Sequence, residues 1–249
     1  LYVSQDQIPA AALEAKRAAL LGDEALAKKP EAIRAQIVEG QLRKWFQEVC
    51  LLDQPFRDGD ETVGQLITNA IATIGENMSL RRAASLSVSD GVVVGYTHNA
   101  VAPDLGKIGV LVALESAGNA EKLAALGKQL AMHVAAASPI ALDASSVSAE
   151  TAARERAIYA DQARESGKPE NVIEKMVEGR MRKFYEESVL LSQTFVIDGE
   201  TQVSKVVENV AKEIGAPIKV VGFVRYQVGE GIEKAVTDFA AEVKATAGL

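Results

Sequence analysis

Few side chains in this 249-residue chain could make or break a bond: two histidines, His98 and His133, and one cysteine, Cys50. None of them stands at a metal-ligand spacing such as HExxH or CxxC, so neither a metal site nor a metal-dependent reaction is expected. His133 sits beside Leu126, Leu130 and Val134, where a packed histidine is the ordinary reading and a functional one the alternative. His98 closes an expected strand ahead of a loop at residues 99–106, and loops on a rigid scaffold carry function more often than core positions do, so both roles stay open for it. Cys50 cannot form an internal disulfide and falls on an apolar helical stripe, which makes it a core residue. No GxxxxGK[ST] phosphate loop occurs, and Gly229-Glu230-Gly231 is too short and too acidic to cradle a dinucleotide. Ser145-Ser146 lacks the histidine and acid of a nucleophile elbow, and runs such as Arg43-Lys44 and Arg81-Arg82 read as solvated faces. With no convergent acid, base and nucleophile, the residue types favour a binding protein without a cofactor over an enzyme acting on a small molecule.

The elements that must position these residues are organised by a repeat. VEGRMRKFYEESVLLSQTF at residues 177–195 has an earlier version, VEGQLRKWFQEVCLLDQPF, at residues 38–56, an offset of 139. In the later copy Ile173, Met176, Val177, Met181, Phe184, Tyr185 and Val189 advance by threes and fours, the spacing of one helical face. Ile37, Val38, Leu42, Trp45, Phe46 and Cys50 repeat that stripe. Each helix must bury its stripe, and the segment upstream is the expected cover: Ser148 caps a helix to about Ser166, Gly167 stops it, and Pro169 opens the next. Each copy therefore reads as an antiparallel helical hairpin. Because only one partner helix covers each stripe, an arm also has the means to self-associate into a homodimer. The repeat continues into ETVGQLITNAIATIGENMSL and ETQVSKVVENVAKEIGAPIKV, a helix followed by a strand.

Between the copies the pattern changes. Residues 78–88, 92–98 and 107–115 are rich in β-formers, with Asp90-Gly91 and Pro103-Asp104 as turns, and short connections favour an antiparallel sheet. A helix from Asn119 to about Ala137 presents Leu123, Leu126, Leu130 and Val134 to cover it. Beyond the second hairpin follow a helix around Val203 to Ile214, a strand at residues 218–228 and a closing helix at residues 232–245. The expected class is α+β, with antiparallel sheets covered by helices and protruding helical hairpins. Four segments are expected: a first hairpin (1–60), an α+β core (61–146), a second hairpin (147–190) and a smaller C-terminal α+β piece (191–249).

A hydrophobic content of 48% supports a folded core, and a net charge of −7 argues against a nucleic-acid-binding body. No apolar run approaches the roughly twenty residues of a membrane span, so no membrane partner and a cytosolic or organellar-matrix location are expected. The chain opens on LYVSQDQIP without a methionine, as expected of a processed product or a fragment.

Five blocks resemble one family in order: IATIGENMSLRRAASL (71–86), GYTHN with GKIGVLVALES (95–116), LAMHVAAASP (130–139), the second hairpin (165–195) and GFVRYQVGEGIEKAVTDFAAEV (222–243). That family is translation elongation factor Ts, the guanine-nucleotide exchange factor for the GTPase elongation factor Tu. The resemblance implies binding to the GDP-bound GTPase and faster GDP release. It implies partner contacts at Ile74, Gly75, Glu76 and Asn77, matching the family's IGEN segment, at His98 of the Tyr-x-His segment, and at Phe239 of the closing helix. Two family features have no counterpart: a small N-terminal helical domain, and a strand ending in Thr-Asp-Phe-Val. This chain has Leu114-Glu115-Ser116-Ala117 at that strand end, and its Thr237-Asp238-Phe239 lies in the block matching the family's C-terminal segment. The alternative implied function is a Tu-binding or assembly module without exchange activity.

Overall fold

The computed structural model describes residues 2–23, 26 and 28–232, and the chain divides into two compact units, Leu1–Ser85 and Leu86–Leu249. The first unit contains α1 (Ala10–Leu21), α2 (Glu31–Val49) and α3 (Val63–Ile74). Helices α1 and α2 form a hairpin that buries Val38 and Leu42 with Leu26, and Leu13, Leu20, Trp45 and Phe46 pack around them. Helix α3 starts on a capping box in which Thr62 Oγ1 accepts from the Gln65 amide and the Gln65 side chain accepts from the Thr62 amide. It stops at Gly75, whose φ of +79° is the left-handed conformation that glycine adopts without a Cβ penalty.

Among its described residues the second unit holds one three-stranded antiparallel sheet in the order β1 (Gly91–Ala102), β2 (Leu105–Glu115), β3 (Lys219–Gln227). Strand β3 joins the same sheet as β1 and β2, so the strand expected in a separate, smaller piece completes the main one. Residues 78–88 form no strand, although their composition is strand-like. Helix α4 (Ala120–Ala137) begins at Asn119, whose side chain accepts from the Lys122 amide, and its Leu126, Leu130, Ala131 and Val134 pack on Val110, Val112 and Leu114 of β2. The approach is close at Gly127, where an added Cβ would meet Val94 Cγ2 at 2.6 Å. A hairpin of α5 (Ala149–Arg164) and α6 (Glu170–Ser188) follows, with Ala163, Ile173, Val177 and Met181 buried between its arms. Ser148 caps α5, and Gly167 takes a φ of +65° in the turn, as the sequence expects. Helix α7 (Val203–Ile214) lays Val203 and Val207 into the core that α4 and the sheet share.

The repeat is carried in the backbone as well as in the sequence. Tyr2 bridges Cys50 in parallel, and Ala141 bridges Val189 in the same way at an offset of 139. Leu51 N–H donates to Tyr2 O at 2.9 Å and Leu190 N–H to Ala141 O at 2.9 Å; Val63 N–H donates to Gln54 O and Val203 N–H to Gln193 O, both at 3.0 Å. The offset is still 139 at Gln54 and Gln193 and becomes 140 at Val63 and Val203, because the second copy has one more residue between these positions. Cys50 is fully buried, as its place on the stripe requires, and burial, with Asp53 second, raises its thiol pKa.

Candidate functional site

The two histidines are sorted by what surrounds them. His133 is wholly buried on α4. The Val196 amide donates to its Nδ1 at 3.2 Å, so the ring proton sits on Nε2, which donates to Gln193 Oε1 at 2.9 Å. The Gln193 amide group in turn donates to Glu187 O at 2.7 Å, and the Phe195 ring lies 5.7 Å from the imidazole. Burial pushes the His133 pKa below its ordinary value, with the Gln193 hydrogen bond opposing in part. Every ring nitrogen is engaged inside the protein, so His133 pins the end of the second hairpin to α4.

His98 occupies a different kind of place. Strand periodicity puts it on the same face as Tyr96, and the tyrosine hydroxyl lies 3.0 Å from His98 Nδ1. Tyr96 packs on the core while His98, paired in register with Ile108, reaches the end of the sheet and is partly exposed. Just beyond it the strand pairing shifts register between Ala100 and Ala102. That irregularity turns Val101 outward, and the Pro103-Asp104 turn, with Asp104 at a φ of +59°, brings up Leu105. Val228 arrives at the same end of β3, its amide donating to Lys107 O at 2.9 Å. Val101 is 84% exposed, Val228 79% and Leu105 62%. An apolar sheet end beside a partly exposed imidazole suits contact with another protein.

Ile74-Gly75-Glu76-Asn77 lies in the other unit, at the C-terminal end of α3. Gly75 bends the chain out of the helix, leaving Ile74 61% exposed and Glu76 and Asn77 open to solvent. Phe239 lies outside the described residues. Among the described residues no group of three or more His, Cys, Asp or Glu side chains could hold a metal ion, and no helix is long and apolar enough to cross a membrane.

The family profile described as Elongation factor TS matches residues 1–68 and 57–230. The chain belongs to the elongation factor Ts family. It is 61% identical over 214 residues to an elongation factor Ts of Rhodospirillum centenum, a match covering 86% of this chain and 70% of that protein. Elongation factor Ts of Paramagnetospirillum magneticum is 62% identical over 76% of this chain and 61% of its own length, and that of Brucella ovis 60% identical over 75% and 61%. This elongation factor Ts family chain thus spans about two thirds of the length of these relatives. Tyr96, which sequence reasoning passed over as a site residue, is the one that sets His98; its two-residue spacing in a strand was the available signal.

Proposed function

We propose that the chain is a guanine-nucleotide exchange factor that binds elongation factor Tu in its GDP form and promotes GDP release, acting by binding alone in the compartment where translation runs. One observation carries the reading beyond family membership. Val101, Val228, Leu105 and Ile74 are the four most exposed large apolar side chains among the described residues. Val101 and Leu105 flank the strand end that carries His98, Val228 lies beside them, and Ile74 opens the IGEN segment. Uncovered apolar groups at each of these places, taken unit by unit, are what protein-docking surfaces present.

The physics of exchange sets the requirement on the binding. A factor shifts the nucleotide equilibrium only by its differential affinity for the empty and GDP-bound GTPase. The test is to titrate the chain against elongation factor Tu in both forms by calorimetry. The proposal expects measurable binding to both and tighter binding to the empty form; equal affinities would sink the exchange reading.

A further inference from the structure

Near its end the sheet buries a cation that the fold has little reason to bury. Strand alternation puts Phe223 and Arg225 of β3 on one face, and Phe223 packs against the core that the sheet shares with α4. Arg225 stands in register with Val110, which is 2% exposed and in register with Tyr96 in turn. The Arg225 side chain is 12% exposed, and its Nε is buried with no acceptor among the described residues. Replacing a buried ion pair by hydrocarbon of similar volume is generally neutral or stabilising, so stability alone gives no reason for arginine here.

What arginine does there, and hydrocarbon cannot, is hold two acceptors at once. Nη2 donates to Gln227 Oε1 at 2.9 Å and Nη1 to Glu230 Oε1 at 3.2 Å. Gln227 is the last residue of β3, and Glu230 belongs to the turn beyond it, where Gly229 and Gly231 take φ of +77° and +71°. Glycines give a turn this shape but no side chain to fix it, and they lose the most freedom on ordering. The Glu230 amide adds a bond to Gln227 O at 3.2 Å. The Arg225 fork therefore ties strand to turn on both sides of Val228, which lies between its two acceptors and is 79% exposed.

The opposite edge of the sheet is built the same way. In register across the three strands, Tyr96, Val110 and Arg225 form one row, and His98, Ile108 and Gln227 form the next toward the sheet end. Tyr96 sets His98 from the inner row, and Arg225 sets Gln227 from the same row on the other edge. We propose that Arg225 is a positioning residue for partner binding: by fixing Gln227 and Glu230 it holds Val228 in the place where the partner meets it. The inference rests on the reading that this sheet end docks elongation factor Tu, and it names the residue that pre-organises the surface.

Calorimetry of the full chain with the GDP form of elongation factor Tu tests it, using Arg225→Met, Val228→Ala and the double variant. Arg225→Met should raise Kd about tenfold while Tm stays level or rises, because a buried cation is removed as the turn is released. Hydrogen exchange at the Val228 and Glu230 amides should quicken in the same variant, with the partner absent. Val228→Ala should also weaken binding, and the double variant should bind about as well as the weaker single one, since Arg225 acts through Val228. Arg225→Lys, a point charge without the fork, should recover only part of the affinity. An unchanged Kd in Arg225→Met, a Tm that falls in step with the affinity, or single effects that multiply in the double variant would each overturn the positioning role and leave the docking reading standing. A wild-type chain that shows no binding overturns both.

Discussion

Replacing His133 by alanine removes three things at once. The Val196 amide loses its acceptor at 3.2 Å, Gln193 Oε1 loses its donor at 2.9 Å, and the ring packed 5.7 Å from Phe195 leaves a void in a fully buried place. A buried polar group left without a partner costs about 1–3 kcal/mol, and the cavity adds to that, so a total loss of about 3–4 kcal/mol is expected. For a unit of this size each kcal/mol is worth about 2–4 °C, which puts the drop in Tm at about 6–16 °C. The pH dependence has a definite sign. The folded state holds the imidazole neutral and below its ordinary pKa of 6.5, whereas the unfolded chain protonates near 6.5. Protons thus favour the unfolded state, so stability is full above pH 6.5 and falls as pH drops below it. A second proton on Nδ1 would also set a donor against the Val196 N–H. Denaturant unfolding of the wild type and His133→Ala at pH 7.5 and at pH 5.5 checks both effects. A variant within about 1 kcal/mol of wild type, or one keeping the full wild-type slope between these pH values, would refute the reasoning.

Other expected outcomes follow from the same geometry. His98→Ala should weaken binding to elongation factor Tu while leaving Tm nearly unchanged, because His98 lies at a sheet end and is partly exposed; equal losses of affinity and stability would assign it to the core. Gly127→Ala brings a Cβ to 2.6 Å from Val94 Cγ2 and should lower unfolding free energy by about 1–3 kcal/mol in denaturant melts. Thr62→Ala dissolves the capping box of α3 and should cost about 1 kcal/mol, read as faster amide exchange in the first turn of that helix. Cys50, buried and with its thiol pKa raised, should react with a thiol reagent only as fast as the first unit opens; rapid labelling of the native chain would contradict its burial.

The described helices were legible because their signal is local, while the closing helix expected at residues 232–245 lies, past Ile232, outside the described residues. The stripe from Ile173 to Tyr185 fixes which face of α6 is buried without knowledge of the rest of the chain, and Thr62, Asn119, Ser148, Gly75 and Gly167 mark ends through their own backbone or side-chain chemistry. Sheet membership was less legible, since a strand exists only with a partner. Residues 78–88 carry strand-like composition yet pair with nothing as a strand, while β3 pairs with β2 across more than a hundred residues. Burial is equally non-local. Helices α3 and α7 have matching stripes, yet α7 buries Val203 and Val207 while no residue of α3 is buried, a difference that neither stripe announces. At the candidate site, His98 was found from its place at a strand end and from family likeness. The apolar sheet end around it depends on a register shift at residues 100–102 that no local pattern announces.

The account rests on the chain gripping a GTPase and loosening its nucleotide. The most direct measurement follows fluorescent GDP leaving elongation factor Tu after mixing with excess unlabelled GDP, at increasing concentrations of this chain. The account predicts a release rate that rises with the chain and then saturates, and that falls back toward the spontaneous rate in His98→Ala at subsaturating concentrations. A release rate that stays at the spontaneous value at every concentration would contradict it.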